Sequence, residues 1–385
     1  MTDIDHTENN DGERQITPID LPVSFSREQD GFWAEKEGSR SRLTIYGLLA
    51  LILGPLSLWL LTRLVTGNVV FGSIKAIKPL PLLAALVLLA IAWYSRVIRI
   101  WHLFRPLAEG VDFLSFTKSY LAGVFASQIT PSAVGGYPFF LFLLYRQGIP
   151  PGRSLAVSLL DSVNTGLAFL VLLIGGALLS KTSIPGAESW LGAAIAGMCL
   201  LTAAALAPLL CPEPLQQLTH GLSQKQHGLA GKLAPWSTQA YRELRRLQWV
   251  TLDYWNHHRP LLVLNLLLHL IYWTAYLTVP PLLFLAVGGR APWPAIVGSH
   301  IATQFALYFI PTPGAAGGAE VTMALFVHTL LPEERLVLFL GLWRFCTYYV
   351  SLIGTSLTIP WALRLLRQNA TGTESEPPQK TPQEV

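Results

Sequence analysis

Charge is scarce in this chain. Of 385 residues only 13% are Asp, Glu, Lys or Arg, against 51% hydrophobic, a balance that excludes an ordinary soluble domain and points to a bilayer. Cysteine is scarcer still. Cys199, Cys211 and Cys346 lie in or beside apolar runs without metal-like spacing, so neither a disulfide framework nor a zinc site is expected. The nine histidines do not group, and no metal or cofactor is expected. A Walker A loop is absent, so no nucleotide-driven step is encoded. No basic stretch is soluble and interleaved with aromatics, so nucleic acid is not an expected partner.

What charge there is lies unevenly. Residues 1–42 carry ten acids against five bases with Pro18 and Pro22, and read as a disordered or loosely attached tail. No basic n-region precedes an early apolar core, so a cleavable signal peptide is not expected. Residues 368–385 are Pro/Thr/Glu-rich and read as a second disordered tail. Residues 43–367 hold 21 bases against 10 acids, which suits anionic lipid head groups. Runs long enough to span cover 43–64, 80–100, 154–179, 190–211, 261–287 and 336–363, at about 20 residues per crossing.

The chain also repeats itself. Thr130-Pro131-Ser132-Ala133-Val134-Gly135-Gly136 recurs as Thr312-Pro313-Gly314-Ala315-Ala316-Gly317-Gly318, and the match continues at the same offset of 182 through Leu143/Leu325, Pro150/Pro332, Arg153/Arg335 and Leu160/Leu342. The repeat motifs, near 114–161 and 295–344, are apolar but broken mid-way by Pro and paired Gly. Each is a kinked span or two half-helices that enter and leave on one side. Lys and Arg favour the cytoplasm. Arg96, Arg99, Arg105 and Lys118 precede the first motif and Arg146 and Arg153 follow it, which favours the re-entrant form. The amphipathic segment 212–260 and both termini then come out cytoplasmic, and three crossings separate the motifs. The expected fold is all-α and polytopic, with about six full spans plus two broken hairpins related by an internal inverted repeat, an arrangement in which discontinuous helices meet near the midplane.

Breaks in a span free backbone groups that need partners. The expected breaks are Pro131, Gly135 and Gly136 in the first motif, and Pro311, Pro313, Gly314, Gly317 and Gly318 in the second. The N–H groups of the helix that follows favour an anion such as a phosphate head group; the bland alternative is that the glycines only permit close packing. Charge inside spans is costly and marks function by default. Asp161 and Glu320 are the acids in strongly apolar surroundings, and Arg344 is the base well inside a run. Because 161 plus 182 is 343, an inverted two-fold would pair Asp161 or Glu320 with Arg344, as a substrate path or as a structural ion pair. Gln128, Thr130, Ser127, His300, Gln304 and Asn164, the last on the Asp161 face, are softer candidates for the same path. His269 and His300 read as satisfied core histidines, and Trp273, Trp293, Trp343 and Trp361 as belt and packing residues.

The stretch Ile310-Pro311-Thr312-Pro313-Gly314-Ala315-Ala316-Gly317-Gly318-Ala319-Glu320 resembles the P-x-PGG-x-G-x-x-E signature of the flippase-like family, the lysylphosphatidylglycerol synthase transmembrane region. Thr130-Pro131 through Gly135-Gly136, followed by Arg146 and a helix bearing Asp161, resembles its first signature. The resemblance implies an inner-membrane protein that moves lipids between leaflets, with Glu320 and Asp161 at the family's acidic positions. The first signature departs from the pattern: Gly135-Gly136-Tyr137-Pro138 stands where a Gly-Glu followed by an apolar residue and Arg is usual. No synthetase domain is expected, so the lipid would come from a separate lipid-synthesising enzyme. The functional expectation is a non-enzymatic transporter of an amphipathic lipid with an anionic or modified head group. A membrane scaffold for lipid or envelope synthesis, docking through 212–260, and a lipid-phosphate-modifying enzyme are the alternatives.

Overall fold

The computed structural model describes residues 77–179, scattered positions between 196 and 206, and residues 247–290, 293–307 and 310–371. The expected tail 1–42, the span 43–64, most of 190–211 and the segment 212–246 lie outside the described residues. Within them the regular structure is helical: α1 Pro79–Phe104, α2 Phe113–Ile129, α3 Gly136–Tyr145, α4 Pro151–Leu179, α5 Arg259–Ala286, α6 Trp293–Leu307, α7 Gly318–Val327, α8 Glu333–Arg344, α9 Val350–Ser356 and α10 Ile359–Thr371. A further helical stretch covers 247–257. Four helical segments are long and apolar enough to cross a membrane: Pro79–Leu107, Pro151–Leu172, Arg259–Ala286 and Glu333–Leu366. They coincide with four of the six expected spans. The protein is an all-α, polytopic membrane protein.

Helices α1 and α5 form an antiparallel frame. Lys78 N donates to Ala286 O at 2.8 Å at one end, and the Tyr254 hydroxyl donates to Leu103 O at 2.8 Å at the other. The end with Phe104 and Arg259 is called the first end here, and the end with Pro79 and Ala286 the second.

Helices α2 and α3 fold back on each other. Gln147 Nε2 donates to Ser119 Oγ at 2.7 Å near the open end. Nearer the tip Gly123 lies so close to Phe140 that a methyl group there would come within 2.7 Å of the Phe140 Cβ. Edge-on contacts of Trp101 with Phe113 and of Phe104 with Phe140 place this hairpin's open side at the first end. Helices α6 and α7 form the second hairpin, with Thr303 Oγ1 against Met323 Sδ at 3.6 Å. Its open side lies at the second end, where Leu331 packs with Phe284 and Val287 and Arg335 Nη1 donates to Gly288 O at 3.1 Å. The repeat motifs are therefore helical hairpins rather than kinked spans, and they open at opposite ends of one helix pair.

Helix α4 runs alongside α5 from the first end, as Asn164 beside Leu262 and Phe169 beside Trp273 show. The last span runs the other way and touches both hairpins, from Gly288 at Arg335 to Arg146, whose Nη2 donates to Leu366 O at 3.4 Å. It is not the single helix that 336–363 suggests. The helix widens into a π turn at Phe345–Tyr349 and turns at 357–358 before α10. Pro360, in the first turn of α10, has no N–H to continue a ladder. Helix α10 then extends to Thr371, four residues into the expected tail.

Candidate functional site

The hairpin tips meet. Pro131 and Pro313, equivalent residues of the repeat, pair as a one-residue antiparallel bridge. Each tip turns through consecutive left-handed residues in the same register: Ser132 (φ 51°) and Ala133 (φ 58°) in the first, Gly314 (φ 60°) and Ala315 (φ 51°) in the second. Left-handed alanines carry a steric penalty and persist only where surroundings over-determine them. In the first tip Thr130 Oγ1 accepts from Gly135 N at 3.0 Å. In the second, Gly317 (φ 83°) caps the start of α7, and its N–H donates to Glu320 Oε2 at 2.8 Å, which places a carboxylate against the positive end of that helix.

Both acids expected in apolar surroundings are buried, Asp161 and Glu320 at 1% exposure each. Glu320 forms an ion pair with Arg344, Oε1 to Nε 2.8 Å. Arg344 also donates through Nη2 to the Gly314 carbonyl and lies over the Tyr348 ring, 4.2 Å from its centroid. One guanidinium thus holds the start of α7 and the tip preceding it. The Tyr348 hydroxyl donates to Gln128 O at 3.3 Å, and Gln128 Nε2 donates to Ser351 Oγ. The π turn that follows Arg344 lies between these contacts; such turns often occur at functional sites.

Of the two expected pairings for Arg344, the structure forms the one with Glu320. Asp161 pairs instead with Arg99, at 2.5 Å. Arg99 and Arg96 are thus not a simple cytoplasmic flank. Helix α1 continues past both to Phe104, and Arg99 is 6% exposed. Asn265 Nδ2 donates to Asp161 Oδ1 at 3.0 Å, and Asn164 Nδ2 donates to Asn265 Oδ1 at 2.9 Å. The Tyr137 hydroxyl donates to Asp161 Oδ2 at 3.4 Å, linking α3 to α4 from the signature position that departs from the family pattern.

His269 belongs to this cluster rather than to a purely apolar core. Its Nε2 accepts from Arg99 and its Nδ1 donates to Asn265 O at 2.9 Å. That arrangement requires the neutral imidazole.

Gln304 lies on α6, its Nε2 donating to the Tyr276 hydroxyl at 3.2 Å, and His300 Nδ1 accepts from Trp343 Nε1 at 3.3 Å. The candidates therefore fall into two groups. Glu320, Arg344, Gln128 and Thr130 line or abut the two tips. Asp161 and Asn164 lie in a separate polar cluster of α1, α4 and α5, and Gln304 sits with Tyr276. Arg99, Asn265, His269 and Tyr137 were not among the expected site residues. The apolar Trp101, Leu103 and Phe104 beyond Arg99 are the signal that its helix extends further. Among the described residues no group of three or more His, Cys, Asp or Glu could hold a metal ion.

The family model of the lysylphosphatidylglycerol synthase transmembrane region matches residues 42–354, an interval containing both hairpins, both ion pairs and most of the last span. A UPF0104 membrane protein of Archaeoglobus fulgidus is 25% identical over 305 residues, covering 76% of this chain and 90% of that protein.

Proposed function

The chain belongs to the lysylphosphatidylglycerol synthase transmembrane-region family, and on that premise we propose that it moves an amphipathic lipid with an anionic or modified head group between leaflets, without altering it chemically. The observation that carries this reading is the bridge between Pro131 and Pro313. Broken helices whose tips meet inside the bilayer are an arrangement that transporters use for substrate at the midplane. Two hairpins opening at opposite ends support an inverted repeat that alternates access by rocking one hairpin against the other.

In this mechanism the acyl or prenyl tails stay in lipid while the head group crosses between the hairpins. Glu320 and Arg344 brace the second tip, so movement there must break or carry their contacts. Coupling is to a gradient, or the process is simple equilibration. The lipid is the product of a separate synthesising enzyme, and the protein sits in an inner, cytoplasmic-type membrane with both termini in the cytoplasm.

The test uses proteoliposomes with fluorescent anionic, zwitterionic and polyprenyl-phosphate lipids and a membrane-impermeant quencher. The expected result is faster exchange of an anionic lipid that is lost in Glu320→Gln with the fold intact. Wild-type protein that exchanges none of the panel would overturn the reading.

A further inference from the structure

Arg96 lies on α1 eight residues before Phe104, about 12 Å inside the helix end at 1.5 Å per residue. Its Nε donates to the Tyr120 hydroxyl at 2.8 Å, and its guanidinium sits against the rings of Trp93 (5.4 Å), Tyr120 (5.7 Å) and Tyr272 (5.9 Å). The bond to Tyr120 holds the side chain inward, against the usual tendency of a membrane arginine to reach for the interface. Arg96 makes no ion pair among the described residues. The carboxylate of Asp161 is taken by Arg99, whose guanidinium lies 5.9 Å from the centroid of the same Tyr272 ring.

The local charge count does not close. Among the described residues of this cluster Arg96 and Arg99 are cations, Asp161 is the single anion, and His269 is held neutral by its contacts. The second cluster, by contrast, balances Glu320 with Arg344. An uncompensated guanidinium inside a span is costly and marks a ligand or a partner. Here Nε is used by Tyr120, while the two terminal nitrogens, without a hydrogen bond among the described residues, present the planar fork that matches phosphate oxygens. Arg96 is only half-buried, so a ligand can approach that fork.

We propose that Arg96, framed by Trp93, Tyr120 and Tyr272 where α1, α2 and α5 converge, is the binding site for a phosphate ester, the head-group phosphate of a lipid entering from the first end. The assignment of that phosphate to a lipid rests on the transport reading; the need for an anion rests on the charge count. The aromatic frame excludes water from the pairing, and the acyl chains remain outside α1.

Native mass spectrometry of the detergent-released full chain tests this. The probes are phosphatidylglycerol and a diacylglycerol with the same acyl chains, with millimolar inorganic phosphate as competitor. Wild-type protein is expected to retain phosphatidylglycerol and not diacylglycerol. Arg96→Gln is expected to weaken phosphatidylglycerol binding by about tenfold or more, as loss of a charge-assisted hydrogen bond requires, whereas Arg96→Lys keeps the preference for phosphate. Equal retention of the two lipids by wild-type protein overturns the proposal even if Arg96→Gln does not fold. Unchanged binding in a folded Arg96→Gln also overturns it, and displacement of the lipid by inorganic phosphate alone overturns the lipid assignment. Binding that depends on Arg96 in a protein that exchanges no lipid would keep this site and retire the transport reading. Exchange with binding indifferent to Arg96 would do the reverse.

Discussion

Glu320 and Arg344 are almost fully withdrawn from solvent, where removing one partner strands the other. Glu320→Ala is expected to cost about 3–5 kcal/mol, the usual penalty for an uncompensated buried charge, read as a lower melting temperature in detergent. Replacing both with leucine is expected to restore most of that stability, since a buried pair is often no better than apolar packing, yet leave lipid exchange abolished. Exchange that survives in the stable double variant would make the pair purely structural. Gly314 offers a second residue-scale prediction. At φ 60° it has left-handed backbone, and a Cβ would run into the Tyr348 ring. Gly314→Ala is expected to lose roughly 1–3 kcal/mol from overpacking. An unchanged melting temperature would show that Tyr348 moves freely. Asp161, Glu320 and Arg344 were legible as intramembrane charges. The partner of Asp161 was not, because hydropathy treats Arg99 as the end of a run whether it reaches toward head groups or turns inward to a carboxylate.

Among the elements, the first hairpin depends on close approach of α2 and α3 at Gly123. Gly123→Leu is expected to wedge the helices apart and cost about 1–3 kcal/mol, the range for overpacking. The reading is lower thermal stability together with faster amide exchange in residues 113–145. If exchange rises elsewhere instead, the hairpin is not the unit that Gly123 holds. The hairpins themselves were legible. Paired glycines and prolines at one offset in an apolar stretch mark breaks, and local chemistry is enough to find them. The discontinuity of the last span was less so. Pro360 is visible in the sequence, but the π turn at Phe345–Tyr349 has no comparable local mark and adjoins the contacts of Arg344 and Tyr348 with the two hairpins.

At the scale of the molecule, the hairpins open at opposite ends of the α1/α5 frame, which predicts opposite labelling. In a cysteine-free background, single cysteines at Gln147 and Glu334 are expected to react with an impermeant maleimide from opposite sides of a sealed vesicle. Labelling of both from one side would be incompatible with hairpins entering from the two faces. The sequence by itself determined the all-helical membrane class, the positions of four of the spans and the repeated breaks, because composition, run length and Gly/Pro chemistry act on neighbouring residues and need no knowledge of contacts. Only the tertiary structure decided that Pro131 meets Pro313, that Arg344 serves Glu320, and that Asp161 is held by Arg99 and Asn265. Those choices depend on how helices distant in sequence are rotated and slid against one another. A turn of a helix that leaves its hydropathy unchanged redirects every charge it carries.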